Sequence, residues 1–320
     1  MVSAFCPYPI IAGPTASGKT AVAVELSKRL DGEVVSADSM QIYDGISIGT
    51  ARPSVEEMQG IPHHLLGFVP LSESYSVARY IEDADRIFLD VFSRGKTPVL
   101  CGGTGLYIQS FSENIQLFPH NPDESLRAEL KQRAIIEGGG VLLEELRAVD
   151  AETAERLHKN DHNRIIRALE VYHTTGQTIS EQARLSKAVP SPYDRCLFLL
   201  NYRDRNTLYE RIDRRVDLML ENGLLDEVAQ VYNTEPRATV LQAIGYKELL
   251  PHLRGEETLE SVVDRLKLST RHYAKRQLSW FNRMDGVRTI WVDNYTDVSA
   301  VVDEITKQFI VFCKEGRRDD

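Results

Sequence analysis

The sequence predicts an α/β protein: a doubly wound parallel sheet carrying a phosphate-binding loop (P-loop), with an inserted all-helical domain and additional C-terminal helices. Three observations lead there. Short β-rich apolar runs alternate with amphipathic helical patterns, which is how buried parallel strands and their crossover helices read. The first run passes directly into GPTASGKT and then a helix. After the third run, about ninety residues carry helical patterns and no strand pattern, too long a stretch for a loop in a compact domain.

The elements follow in order. Residues 9–13 (PIIAG), 33–38 (EVVSAD), 98–102 (PVLCG), 196–202 (CLFLLNY) and 287–293 (VRTIWVD) read as strands. Residues 21–30 form the helix after the phosphate loop. Val77, Tyr80, Ile81, Ala84, Ile87, Phe88, Val91 and Phe92 recur at intervals of three and four and stop at Gly95. That is an amphipathic helix with a glycine terminator. Residues 125–138, 141–149, 151–158 and 164–175 read as the helices of the insertion, and a second helical stretch runs over 204–284. The expected division is 1–117 with 193–320 as the core that carries the phosphate loop, and 118–192 as an inserted helical domain. The tail EGRRDD is expected to fray.

Composition limits the function. The 320 residues hold 38 Lys and Arg against 47 Asp and Glu, a net charge of −9, with 42% hydrophobic residues. This is ordinary for a water-soluble globular chain, and it argues against non-specific coating of nucleic acid. Cys6, Cys101, Cys196 and Cys313 lie far apart with no C-x-x-C pair. Zinc spacings are therefore absent, and a disulfide framework is not expected. With no signal peptide and no membrane-length apolar run, a cytoplasmic protein without membrane contact is expected.

Gly13, Pro14, Thr15, Ala16, Ser17, Gly18, Lys19 and Thr20 match G-x-x-x-x-G-K-[ST] in the strand–loop–helix context the motif requires. Glycines let successive backbone N–H groups turn inward around phosphate oxygens, and the helix N-terminus adds a favourable dipole. Lys19 supplies a point charge, and the Thr20 hydroxyl suits a Mg²⁺ ligand. The motif establishes a di- or triphosphate ligand without saying which bond breaks.

Ligands of open α/β sheets lie beyond the carboxyl ends of the strands. The second strand ends at Asp38, Ser39, Met40 and Gln41, and the third at Gly102, Gly103, Thr104 and Gly105. Asp38 is thus close to the phosphates, and three roles are open to it: metal ligand through water, general base, or turn cap. The third strand ends in Cys101 and glycines, not in the aspartate of an NTP hydrolase.

These segments resemble one family, the tRNA dimethylallyltransferases or tRNA isopentenyltransferases. The match runs through GPTASGKT, SADSMQIYDGISIGTARP (36–53), GIPHHLL (60–66), GGTGLYI (102–108), NDHNRIIRALEVY (160–172), RIDRRVDLML (211–220), IGYKE (244–248) and KRQLSWF (275–281). The resemblance covers nearly the whole chain in order. It implies transfer of a dimethylallyl group from dimethylallyl diphosphate to N6 of the adenosine 3′-adjacent to the anticodon, with Mg²⁺. It implies Asp38 as the base, Thr104 at the reacting nucleotide, Arg215 on the diphosphate and Arg127 on tRNA. One departure is Asn282 followed by Arg283, where the family often has arginine directly after the KRQLTWF-like segment. Eukaryotic members add a C-terminal zinc finger that four scattered cysteines cannot build, so the bacterial-type layout fits, and a monomer is expected.

Residues 265–283 contain Arg265, Lys267, Arg271, Lys275, Arg276 and Arg283 with no acidic residue, interleaved with Tyr273, Trp280 and Phe281. A basic stripe with aromatics suits a single-stranded RNA loop. The alternative is a core aromatic pair with a solvated basic flank. The expected tRNA set is Asp38, Ser39, Met40, Gln41 and Thr104 in the crevice; Arg127, Asn163, Arg164 and Arg167 in the insertion; and Arg271, Lys275, Arg276, Gln277 and Trp280 in the C-terminal helices. An anticodon loop held between the two surfaces would offer its base only when flipped from the stack.

Competing interpretations remain at this level. Thr104 can close a turn. Arg211, Arg214 and Arg215 lie among Asp213 and Asp217 at helical spacing, as on a salt-bridged face. His63 and His64 suit packing better than metal binding. The alternative functions are a P-loop kinase or NTPase, a nucleotide-gated RNA-binding module, and prenyl transfer to free adenine nucleotides.

Overall fold

Tyr8, Ile10 and Ala12 point to one face of a sheet and Ile11 to the other, the two-residue alternation that a strand buried on both sides imposes. The computed structural model describes residues 5–115, 123–187, 189–234 and 238–316. Two compact units are present: Met1–Ser112 with Pro192–Asp320, and Glu113–Ser191. The expected start of the insertion at 118 and the last four residues of the tail lie outside the described residues.

In chain order the first unit begins β1 (Pro7–Ala12), α1 (Lys19–Arg29), β2 (Gly32–Ala37), α2 (Val55–Met58), β3 (His63–His64), α3 (Val77–Ser93), β4 (Thr97–Gly102) and α4 (Gly105–Ser112). The second unit holds α5 (Glu124–Ile136), α6 (Gly139–Val149), α7 (Ala151–Glu155), α8 (His162–Thr175) and α9 (Ile179–Lys187). The first unit resumes with β5 (Asp194–Asn201), α10 (Arg205–Glu221), α11 (Leu224–Asn233), α12 (Ala238–Leu241), α13 (Tyr246–Leu253), α14 (Leu259–Phe281), β6 (Arg288–Trp291) and α15 (Val298–Gly316).

The six strands are ordered β3-β2-β4-β1-β5-β6, and every pairing is parallel. Register aligns Ile10 with Leu100 and Leu197, and Ala37 with Gly102. The order reverses about β1, so the carboxyl ends of β1, β2 and β4 open one crevice. This is the doubly wound sheet the sequence predicts. β3 and β6 close its two sides.

One face of the sheet packs against Tyr80 and Phe88 of α3, Tyr107 of α4, Leu208 of α10 and Phe281 of α14. Tyr8 meets Phe88 edge-on at 4.9 Å. The other face packs against Val22 and Leu26 of α1 and Val302, Ile305 and Phe309 of α15. Ser76 caps α3 by accepting the Arg79 N–H, and Gly95 follows its end at φ 72°. A third core joins Ile42, Tyr43 and Ile46 to Val216, Val228 and Tyr246. The second unit has its own core of Leu130, Leu142, Leu146, Ile165 and Leu169, enough to hold a helical bundle together.

Five elements lie outside the sequence reading, among them the four-residue α2 behind its Ser54 capping box. β3 has only two residues and no alternation to reveal it. It is held by pairing of His63 and His64 with Val34 and Val35, and by the His64–Glu33 contact at 2.8 Å. α4, α9 and α15 also appear where no helix was expected. The expected helix over 151–158 ends at Glu155, and the last strand ends at Trp291 in a 3₁₀ turn over Val292–Asn294. None of the four cysteines is in a disulfide. Among the described residues no helix is long and apolar enough to cross a membrane.

Candidate active site

The crevice of the first unit is an open cleft of about 1570 Å³. Its floor is the loop from β1 to α1. A Cβ at Gly13 would come 2.8 Å from Ser17 Oγ and 2.9 Å from the Leu200 carbonyl, so only glycine lets the loop pass this close to β5. Gly18 (φ 87°) and Ala16 (φ 63°) adopt left-handed conformations that curl the loop. α1 then starts with no side-chain cap and no acidic residue in its first turn. Its free amides and dipole are left for an anion.

The Lys19 ammonium donates to the Pro14 carbonyl at 2.7 Å. Burial drags its pKa down to about 8; Cys101 and Asp38 oppose the fall and the Arg215 charge adds to it. Burial also pushes the Cys101 thiol up to about 12, which leaves it inert at neutral pH. Arg211 Nε donates to the Ala16 carbonyl at 3.0 Å, with its guanidinium over the Tyr202 ring. The sequence left a solvated, salt-bridged face open for this arginine; it is exposed, and its Nε clasps the phosphate loop. Arg215, one turn along α10, lines the cleft with a buried Nε that has no hydrogen-bond partner. Burial lowers its pKa, while Asp38 and Glu57 hold it up. An unpartnered buried guanidinium N–H is costly unless a ligand satisfies it.

Asp38 follows β2. Its Oδ1 accepts the Met40 N–H at 2.9 Å and the Gln41 N–H at 3.3 Å. One oxygen is therefore a turn cap. The other, Oδ2, makes no hydrogen bond among the described residues, and the side chain lines the cleft. Thr104 Oγ1 accepts the Ser39 N–H at 2.9 Å and donates to Ser39 Oγ at 3.3 Å. Thr104 N–H reaches the Ala37 carbonyl at 3.1 Å. A Cβ at Gly102 would strike that carbonyl at 2.1 Å. Thr104 thus does close a turn, and in doing so it locks the loops after β2 and β4 together. Ser39, Met40 and Gln41 line the same cleft, but Gln41 Nε2 is engaged by the Thr50 and Ala51 carbonyls at 3.1 Å each.

The basic stripe of α14 divides into two. Arg271 Nε bonds Asp213 at 3.0 Å over the Tyr209 ring, and Lys267 reaches Asp217 at 2.6 Å. The acids that pair with Arg271 and Lys267 come from α10, and Arg265 is paired by Glu257. Lys275 and Arg276 stay exposed, over the rings of Tyr209 and Tyr273 respectively. Two expected RNA contacts are corrected. Gln277 is 5% exposed, with Oε1 accepting the Thr15 N–H and Nε2 donating to the Gly103 carbonyl, each at 2.9 Å. Its amide is spent inside the protein. Trp280 is half-buried against Gly105, where a Cβ would come 2.5 Å from its ring. With Phe281 fully buried, the core aromatic pair describes this end of the stripe.

In the second unit, Arg127 and Arg167 both reach Oε2 of buried Glu170, at 2.7 and 3.2 Å. Burial alone would raise the Glu170 pKa, but the two guanidinium bonds outweigh it and hold the carboxyl below its usual range. Asn163 and Arg164 are exposed on the first turn of α8. Sequence reasoning missed Glu227 and Tyr246, which brace the cleft from α11 and α13. No local motif marks either as a loop anchor.

Comparison with known proteins agrees with this geometry. A family profile described as IPP transferase matches residues 41–284. The tRNA dimethylallyltransferase of Caldanaerobacter subterraneus subsp. tengcongensis is 46% identical over 291 residues, 89% of this chain and 92% of that protein. That of Halalkalibacterium halodurans is 45% identical over 289 residues, 90% and 91% of the two chains. Among solved structures, the full-length tRNA isopentenylpyrophosphate transferase of Bacillus halodurans superimposes with a TM-score of 0.70 at 38% identity, covering 97% of this chain and 99% of that one. A eukaryotic dimethylallyltransferase, crystallised acting on tRNA, gives 0.77 at 32% identity, covering 96% and 80%.

Proposed function

The chain belongs to the IPP transferase family, and on that premise we propose that it transfers a dimethylallyl group from dimethylallyl diphosphate to N6 of the adenosine 3′-adjacent to the anticodon in tRNA, releasing diphosphate. One observation carries the reading. The phosphate loop shares its cleft with a carboxylate, Asp38, and an unpartnered guanidinium, Arg215, while β4 ends in Cys101 and Gly102 where an NTP hydrolase would place its acid. The site is built to hold a phosphate leaving group beside a proton acceptor.

In this reading Gly13 to Thr20 cradle the diphosphate. As the allylic C–O bond breaks, its electron pair leaves with the diphosphate, and Lys19 and Arg215 take up the growing negative charge. The N6 lone pair forms the new C–N bond. The proton this nitrogen must lose passes to Asp38 Oδ2, while Oδ1 stays fixed by the Met40 and Gln41 amides. Thr104 holds the acceptor loop in register with Asp38.

The donor set fits Mg²⁺. The Thr20 hydroxyl lines the cleft, and no group of three or more His, Cys, Asp or Glu side chains among the described residues forms a protein-only metal cage. A hard cation that keeps water and takes phosphate oxygens suits such a site. When bound it would neutralise part of the diphosphate charge.

The exposed cations Lys275 and Arg276 of α14, and Asn163 and Arg164 of α8, are the groups free to meet RNA phosphates. Arg127 and Arg167 contribute from within their ion pair with Glu170, whereas Arg271 is committed to Asp213. The helical insertion is assigned to tRNA contact, and the protein is assigned as a cytoplasmic monomer. Incubation with unmodified tRNA and dimethylallyl diphosphate, then mass spectrometry of digested nucleosides, tests the reading. N6-dimethylallyladenosine at the position after the anticodon is the expected product. ATP hydrolysis without that product would establish the kinase or NTPase alternative, and product on free AMP, ADP or ATP alone would establish the free-nucleotide one.

A further inference from the structure

Glu227 lies on α11, 8% exposed, and both oxygens of its carboxylate accept hydrogen bonds. Its Oε2 accepts the backbone N–H of Ser47 at 2.7 Å and of Ile48 at 2.8 Å, and the Ser47 hydroxyl at 3.4 Å. Its Oε1 accepts the Gly49 N–H at 2.8 Å and the Tyr246 hydroxyl at 2.6 Å. Three successive amides converging on an anion make a backbone nest. Here the anion is the protein's own side chain. The Tyr246 ring fills the space beside Gly49, where a Cβ would come 2.8 Å from Cε2.

Residues 47–50 are not part of the sheet, yet they wall the cleft. At their far end Gln41 Nε2 holds the Thr50 and Ala51 carbonyls. Glu227 is the counterpart at the near end. Ile48, Met219, Leu224 and Leu266 line the same cleft, so this wall bounds its apolar part, the part that suits a hydrocarbon chain and not a diphosphate.

We propose that Glu227, with Tyr246, is a positioning residue that fixes the 47–49 wall and thereby sets which length of prenyl chain the cleft accepts. The inference rests on the reading of the cleft as the donor site. Glu227→Gln keeps the size of the side chain but turns one acceptor oxygen into an NH₂ that faces a backbone N–H. At least one of these half-buried amides then loses its partner, about a tenfold loss in the equilibrium that holds the wall.

The test is steady-state kinetics of the full chain with saturating tRNA and two donors, dimethylallyl diphosphate and the longer geranyl diphosphate. For Glu227→Gln we expect the dimethylallyl KM to rise about tenfold with kcat changed less than about threefold, and the geranyl-to-dimethylallyl ratio of kcat/KM to rise about tenfold. Tyr246→Phe, which removes one bond to Oε1, moves the same ratio in the same direction by less and serves if the first variant does not fold. An unchanged ratio in the folded variants, or a fall in kcat alone, overturns the proposal. Hydrogen exchange at the Ser47, Ile48 and Gly49 amides separates the two levels. Faster exchange in Glu227→Gln supports the fastening even if the parent makes no prenyl product, whereas protected amides with normal parent activity refute the fastening itself.

Discussion

The backbone N–H of Thr15 donates to the side-chain oxygen of Gln277 at 2.9 Å, across 262 positions of sequence. Through its nitrogen the same amide holds the Gly103 carbonyl. One side chain of α14 thereby joins the phosphate loop to the loop that carries Thr104. Gln277→Ala leaves the half-buried Thr15 N–H and the buried Gly103 C=O without these partners and should cost about 2 kcal/mol of stability. Gln277→Glu keeps the bond to Thr15 but sets a carboxylate against the Gly103 carbonyl, so it should also destabilise. Chemical denaturation checks both. A neutral alanine variant would show that the strut carries no strain.

Lys19→Ala should weaken diphosphate binding about 10- to 100-fold, the worth of a charge-assisted hydrogen bond, and leave the tRNA Kd unchanged. The lysine sits on the loop floor, bonded to the Pro14 carbonyl. Titration calorimetry with diphosphate and filter binding with tRNA measure the two. Equal loss of both in a folded variant contradicts the separation.

Asp38→Asn retains an Oδ1 to accept from Met40 and Gln41, so the turn persists while the proton acceptor is lost. The single-turnover rate on a preformed ternary complex should fall by about 10²- to 10⁴-fold with both substrates still bound. A parent-like rate would leave Asp38 as the turn cap alone. Loss of all tRNA binding would make it chiefly a recognition residue.

Lys275→Ala and Arg164→Ala should each flatten the salt dependence of tRNA binding by about 0.7–0.9 in log–log slope. Arg271→Ala should lower stability and leave the slope nearly unchanged, because its guanidinium is committed to Asp213. Binding isotherms across a salt series distinguish them.

Glu33 is a buried carboxylate at the start of β2, and the Arg94 guanidinium holds its pKa near 2, with burial opposing and His64 assisting. Its ordinary value is 4.5. The folded pKa is depressed, so its contribution is fully present above about 4.5 and is lost as pH falls toward 2. Glu33→Gln should therefore lower stability at neutral pH and flatten the stability–pH curve inside that window, read from urea melts at successive pH values.

Much of this was legible in the chain. The phosphate loop, α3 and the five longer strands announce themselves because each is local: a motif, a period of 3.6, a run of buried β-branched residues. The carboxyl-end rule pointed to Asp38, which lines the cleft, and to Thr104, which is bonded to Ser39 behind that lining. The failures have one cause. Arg271 looked free because its acid, Asp213, lies on another helix, and Gln277 looked like an RNA contact because its partners, Thr15 and Gly103, lie far away in sequence. Glu227 carries no local mark because its nest forms only when α11 docks on residues 47–49. Tertiary hydrogen bonds have no period, so pattern reading passes over them.

The sheet ends on one side in a strand of two residues, His63–His64, and on the other in a strand of four, Arg288–Trp291. Outermost strands are where unpaired amides and carbonyls can template a foreign chain. At β3 the row of such groups stops almost as soon as it starts, with the His64 ring tied back to Glu33. At β6 the chain turns away into a 3₁₀ turn, where the Asp293 carboxylate accepts the Arg203 N–H. An all-parallel sheet with long flanks would invite edge-to-edge stacking and fibrillar growth; this one confines its long strands to the interior, so what protects it from aggregation is the brevity of its borders.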